Sequence, residues 1–317
     1  MTEIRRMKAS TWRGWLMAGF ITAVCVAFGM ILLDLGNSAK GLMQIGPFAW
    51  ISVIGLSLLM ALLRAARVAL LVQVTQLAPV VKASFLHGAA NAVLPARIGE
   101  AVLPLALARY SGLDLVRAVG LLLIVRLGDL AVLIGLGLLF VAAVDAWNHT
   151  NALRITLAFC GFTLIVCVSV VPTFVSGLGH LTPTALRAFA DRVAAAGSTL
   201  AVNTKVSLAV LTVAIWLTLG IAAHISIAAA GIQVDLTYAF LAAIAASLAF
   251  ALPTNGIASI GPFEAAFVAT LALSGASAEL ALTAAIHLHL CALIAAGLTA
   301  LSTTLFPVSW GDRPVCP

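Results

Sequence analysis

Three short strings of residues place charge and hydrogen-bonding groups inside otherwise apolar sequence. The first is Pro95-Ala96-Arg97-Ile98-Gly99-Glu100 and the second is Arg126-Leu127-Gly128-Asp129. The third runs from Asn255 through Gly261-Pro262-Phe263-Glu264, with His287 and His289 further on. A guanidinium meets a phosphate through two parallel N–H bonds, so Arg97 and Arg126 point to recognition of an anionic group. Each proline–glycine break starts a new half-helix whose free N–H groups and positive dipole end also favour an anion. Pro262 suits a first helical position. Glu100 and Glu264 then fall in first turns, where helix capping alone accounts for them. They could equally pair with Arg97 and Arg126, meet a cationic headgroup, or carry a proton. Asn255 lines the second break or closes a turn with Gly256. Arg126 and Asp129 lie three apart on one helix and can neutralise each other.

His87, His224, His287 and His289 all lie within apolar segments. His287 and His289 point to different faces of one helix, a poor geometry for a metal, and no metal or other cofactor is expected. Three of the four read as packed or hydrogen-bonded. His289 is kept as a site residue because it takes the place of Arg126 in the second half of the chain. No Ser-His-Asp set, P-loop or hydrolase elbow is present, so no catalytic residue is assigned. Five cysteines show no CxxC spacing and read as buried small hydrophobes.

The elements that position these groups follow from composition. Of 317 residues, 63% are hydrophobic and 9% charged, with a mean hydropathy of +1.16. Soluble domains are about 25% charged, so a soluble globule is excluded, and so is intrinsic disorder. Net charge is +6, but the basic residues are scattered between apolar runs. That pattern reports membrane orientation and not nucleic-acid binding.

Six runs are long enough to span: Gly14–Leu33, Gly41–Leu63, Ala118–Val144, Ile155–Val171, Val206–Gly231 and Leu280–Phe306. The expected fold is an all-α polytopic membrane protein forming one integral domain. One set of flanks holds Arg5, Arg6, Lys8, Arg13, Arg64, Arg67, Lys82, Arg187, Arg192, Lys205 and Arg313; the other holds Lys40 and Arg154. This asymmetry puts both termini in the cytoplasm. Residues 183–200 read as an interfacial helix or a solvated loop helix.

Two further segments are too short to span. Val80–Leu94 and Glu100–Tyr110 flank the first break; Tyr238–Leu252 and Pro262–Leu273 flank the second. Arms of this size reach roughly 16–22 Å against a hydrocarbon core of about 30 Å. They read as re-entrant helical hairpins. Leu94-Pro95 matches Leu252-Pro253, and Gly99-Glu100 matches Gly261…Glu264. Gly112 matches Gly275 and Arg126 matches His289. Three spans separate the hairpins, so the chain reads as inverted repeats over about 14–144 and 155–306, a transporter-like pattern.

The strings Leu94-Pro95-Ala96-Arg97-Ile98-Gly99-Glu100, Arg126-Leu127-Gly128-Asp129 and Pro253…Gly261-Pro262-Phe263-Glu264 resemble the lysylphosphatidylglycerol synthase transmembrane (flippase-like) family. The resemblance covers Trp15 to Phe306. The family often carries an arginine in the last span, where this chain has His287 and His289, and the aminoacyl-transferase domain is absent. The resemblance implies lipid translocation or lipid-carrier handling. The expected function is a bacterial inner-membrane flippase for an anionic or polyprenyl-phosphate-linked lipid, whose headgroup meets Arg97, Gly99, Glu100, Arg126, Asp129, Asn255, Gly261, Glu264 and His289. The alternative is a non-catalytic membrane partner of a glycosyltransferase or lipid-modifying enzyme.

Overall fold

Apolar length decides which helices can cross a bilayer. The computed structural model describes residues 35–73, 76–144, 150–175, 191, 200–251, 258 and 260–305. Among the described residues, five helices are long and apolar enough to span: Pro47–Val72, Leu115–Ala143, Asn151–Val175, Val202–Ala229 and Ala278–Leu305. No strand occurs among them. This is an all-helical, multi-pass membrane protein. The span expected at Gly14–Leu33 and the site residue Asn255 lie outside the described residues, as does the helix expected over 183–200 apart from Asp191 and Leu200.

In chain order the α-helices are α1 (Leu35–Gln44), α2 (Pro47–Val72), α3 (Leu77–Val93), α4 (Val102–Ser111), α5 (Leu115–Ala143), α6 (Asn151–Cys167), α7 (Val202–Ala229), α8 (Leu236–Phe250), α9 (Pro262–Ala272) and α10 (Ala278–Ser302). Local chemistry starts several of them. Asp114 accepts a hydrogen bond from the Arg117 N–H at 3.1 Å at the head of α5. Thr150 accepts from the Leu153 N–H at 3.3 Å at the head of α6. On α6, Ile155, Phe159 and Phe162 are exposed, a surface suited to hydrocarbon and unfavourable in water. Cys160 and Cys167 share that exposure, so the reading of all the cysteines as buried holds for Cys291 and fails for these two.

The second span is displaced from its expected place. Helix α2 runs to Val72, nine residues past Leu63, and so contains both Arg64 and Arg67. Arg67 is only 4% exposed. It was expected as a flank residue marking the cytoplasmic side, and it is instead inside a span.

Both breaks exist as helix–interruption–helix. In the first, α3 passes through a 3-10 helix, Pro95–Ala101, into α4. In the second, α8 and α9 flank the interruption and pack against each other. At 10 and 11 residues, α4 and α9 reach only about 15–17 Å. Gly112, after α4, and Gly275, after α9, both adopt left-handed φ values, 67° and 83°. The two glycines matched by spacing therefore perform the same stop.

The chain divides into two compact units. The first gathers Met1–Ser57, Ala89–Glu100 and Leu219–Ala295; the second gathers Leu58–Gly88, Ala101–Thr218 and Ala296–Pro317. In the first unit small residues of α8, including Ala239, Ala242, Ala243 and Ala246, are buried, as are Phe267 and Leu271 of α9. In the second, Val80 and Ala83 of α3 share a core with Leu103, Ala106 and Leu107 of α4 and with Leu121, Ile124 and Val125 of α5. Where α5 crosses α6, a Cβ on Gly161 would sit 2.5 Å from the Gly135 carbonyl oxygen. Close backbone approach through small residues is a usual basis of helix packing in lipid.

Candidate functional site

In the first unit the chemistry centres on Arg97. Within the 3-10 segment it departs to a left-handed backbone, φ 59°, which a side-chain-bearing residue adopts only at a cost of order 1–3 kcal/mol. Its Nε and Nη2 both donate to the Phe250 carbonyl oxygen, at 3.2 and 3.1 Å. That carbonyl closes α8, where the helix dipole is negative and a cation is favoured. The guanidinium also lies 5.7 Å from the centroid of the Phe250 ring. Nη1 is 3.5 Å from Glu100 Oε1. The Arg97 side chain remains 24% exposed.

Glu100 differs from its expected position. It lies within the 3-10 helix and not in the first turn of α4, which starts at Val102. Capping of α4 is therefore not its role. It pairs with Arg97 and accepts from Asn91 Nδ2 at 3.3 Å. Gly99 has a steric explanation. A Cβ there would lie 2.5 Å from the Asn91 backbone nitrogen, so only glycine lets the turn close on α3.

At the second break, Gly261 has φ 115°, a conformation open to glycine. Its N–H donates to Glu264 Oε2 at 2.7 Å, so Glu264 closes the first turn of α9, as its spacing predicted. The other carboxylate oxygen meets His289 Nδ1 from α10. Both side chains are buried, and the His289 ring lies 5.2 Å from that of Phe263. The residues matched by spacing thus include a direct partnership, Glu264 with His289. His287, on the same helix, is buried elsewhere: Nδ1 meets Ser226 Oγ at 3.0 Å and the ring stands edge-on to Trp50. It is one of the packed histidines.

The second unit holds Arg126 and Asp129, and here the expected pair is rearranged. Asp129 belongs first to Arg67, with Nη1–Oδ1 at 2.6 Å and Nη2–Oδ2 at 3.2 Å. Trp216 Nε1 donates to Oδ1 at 3.2 Å, and Arg67 also donates to Thr212 at 3.1 Å. Arg126 keeps a 3.5 Å contact with Asp129 Oδ2 and reaches His87 Nε2 at 3.3 Å. Asp129 is therefore the acceptor of a buried three-helix network of α2, α5 and α7. Sequence reading missed Arg67, Trp216 and His87 as members. The available signal was the apolar sequence that resumes at Val68–Val72 beyond Arg64 and Arg67, which lets one helix carry both arginines inside a span.

Among the described residues, no three His, Cys, Asp or Glu side chains gather as a metal site. No curated protein and no solved structure gives a significant match to the chain. The family model described as the lysylphosphatidylglycerol synthase TM region matches residues 15–300. With the apolar helices, the two interruptions and the arginine-bearing turn in place, the chain belongs to the lysylphosphatidylglycerol synthase transmembrane-region family.

Proposed function

We propose that this protein moves an anionic lipid, or a polyprenyl-phosphate-linked lipid, between the leaflets of a bacterial inner membrane. The observation that carries the reading is Arg97. Its guanidinium sits in an interrupted apolar helix, on a left-handed backbone, and spends two N–H groups on the neutral Phe250 carbonyl. Hydrogen bonds to a charged acceptor are about twice as strong as those to a neutral one. A lipid phosphate is therefore a better acceptor than the carbonyl it would displace.

Charge inside the spans supports the same reading. In the second unit, Arg64 and Arg67 of α2 and Arg117 and Arg126 of α5 outnumber Asp129, the one acidic residue of those two helices. Intramembrane charges of this kind mark substrate pathways. Arg97 in the first unit and Arg126 in the second are the two phosphate contacts to test separately. Glu264 and His289 flank the second break. Inverted repeats over 14–144 and 155–306 supply alternating access, and both termini face the cytoplasm.

The test is leaflet transfer by the purified full chain in liposomes carrying fluorescent phosphatidylglycerol, phosphatidylethanolamine or a polyprenyl phosphate. Transfer of a phosphate-bearing anionic probe above that of protein-free liposomes is expected. If none moves, while a co-purifying glycosyltransferase or lipid-modifying enzyme needs the protein for activity, the partner reading replaces transport.

A further inference from the structure

The second break sets an acid against a base. Glu264 of α9 and His289 of α10 are each 9% exposed. One carboxylate oxygen meets His289 Nδ1, and the other accepts the Gly261 N–H at 2.7 Å. Both residues belong to the first unit, and α10 is one of the spanning helices. A carboxylate and an imidazole that meet inside apolar helices are a recurrent means of holding and passing protons.

The bonding leaves one place for a further proton. An ionised carboxylate only accepts, so the hydrogen between the two side chains sits on Nδ1, and Nε2 of the neutral ring keeps its lone pair. Nε2 has no protein partner among the described residues, yet it is not sealed from the surface as His224 Nδ1 is. With a proton on Nε2 the pair is neutral; without it the pair carries one negative charge. A lone charge among apolar helices is expensive. The neutral pair therefore suits a closed interior, and the charged pair suits a site open to water.

No other ionisable group shares the pair. The break over residues 251–261 contains none. Of the elements packed on α10, α1 offers Lys40, α2 as far as Ser57 offers none, and α7 from Leu219 onward offers His224. Helix α8, packed on α9, offers Tyr238. None of these bonds to Glu264 or His289. On α10 itself, His287 is engaged by Ser226 and Cys291, and Glu279 lies in the first turn. At the first break, Arg97 and Glu100 pair with each other.

We infer that Glu264 and His289 form a proton-carrying site, and that the protein carries one proton with each anionic lipid it moves. The coupling rests on the transport reading and names its second substrate. The proton joins Nε2 from water on one side and leaves the same nitrogen to water on the other. It offsets the single negative charge of a phosphodiester, so lipid and proton cross as a neutral sum.

The experiment uses the full chain in two settings. In nanodiscs, nuclear magnetic resonance of isotope-labelled histidine reads the ring directly. The signal missing from His289→Gln should pass from the neutral Nδ1–H form to the doubly protonated form over about pH 5–8, the range in which imidazole changes charge. In liposomes with the membrane potential clamped at zero, fluorescent phosphatidylglycerol reports the leaflet distribution. A step of about one pH unit should enrich the probe in the leaflet on the alkaline side, up to about tenfold for one proton per lipid. His289→Gln removes the proton's place, and Glu264→Gln removes the charge that makes the protonated pair neutral; in each the distribution should ignore the step. A His289 ring that keeps one protonation state across the range overturns the proton site. A wild type that moves the lipid but ignores the step overturns the coupling, as does either variant that responds like the wild type. Absence of any transfer overturns the transport reading and the coupling with it, and the ring titration then decides the proton site alone.

Discussion

Arg67 and Asp129, 62 positions apart, form a two-pronged ion pair inside the membrane-spanning helices, with Nη1–Oδ1 at 2.6 Å and Nη2–Oδ2 at 3.2 Å. Thr212 and Trp216 of α7 complete it. A buried charge that loses its partner costs about 3–5 kcal/mol, whereas replacing both partners with apolar groups costs far less. Arg67→Leu and Asp129→Leu should therefore each lower the thermal stability of the purified protein sharply. The double variant should recover a large part of the loss. Additive losses in the double variant would show that the two groups do not act as a pair.

Arg97 separates charge from shape. A lysine keeps the positive charge but has no planar fork to hold the Phe250 carbonyl through two nitrogens. Arg97→Lys should lose most leaflet transfer of an anionic lipid in proteoliposomes, and Arg97→Ala should lose all of it, with both variants accumulating in the membrane. Normal transfer by Arg97→Ala would place the phosphate contact elsewhere. Failure of that variant to accumulate would make Arg97 a structural residue.

Glu264 has two duties that a graded pair of substitutions resolves. Glu264→Gln keeps an oxygen for the Gly261 N–H and loses the charge facing His289. Glu264→Ala loses both. Losing a capping bond costs about 1 kcal/mol, and leaving a buried polar group unpaired costs about 1–3 kcal/mol. Melting temperatures should therefore fall in the order wild type, Gln, Ala. Equal values for the two variants would mean that the Gly261 bond contributes nothing.

The α5–α6 crossing tolerates no side chain. Gly161→Ala places a methyl group 2.5 Å from the Gly135 carbonyl oxygen, and backbone on both sides must separate to admit it. A loss of about 1–3 kcal/mol is expected from such overpacking, read as a lower melting temperature. Gly297→Ala is the control, because a Cβ there meets open space, and it should melt like the wild type.

Orientation is testable by labelling. In a background lacking Cys25, Cys160, Cys167, Cys291 and Cys316, single cysteines near residues 5 and 313 should react with impermeant reagents only from the cytoplasmic side. The expectation survives the relocation of Arg64 and Arg67 into a span, because Arg5, Arg6, Lys8, Arg13 and the other flank residues still outweigh Lys40 and Arg154. Labelling of either terminus from the outside would overturn the assignment.

The sequence by itself determined what is local along the chain. Among the described residues, the apolar runs of sufficient length became the spanning helices, because a helix satisfies its own backbone hydrogen bonds in hydrocarbon. Proline and glycine set the interruptions at 95–101 and before Pro262, and spacing found Gly112, Gly275 and the Glu264 cap, since each depends on a few neighbouring residues. Partnership across helices was a different matter. Arg126 three residues before Asp129 looked like a pair, yet Arg67, from another helix, approaches the carboxylate more closely and with both nitrogens. Arg97 looked poised for an anion or for Glu100, yet the close of α8 also brings the Phe250 carbonyl to its fork. An i,i+3 relationship is written into helical geometry; which charge from a distant helix arrives at a carboxylate depends on how helices pack, and only the tertiary structure decides that.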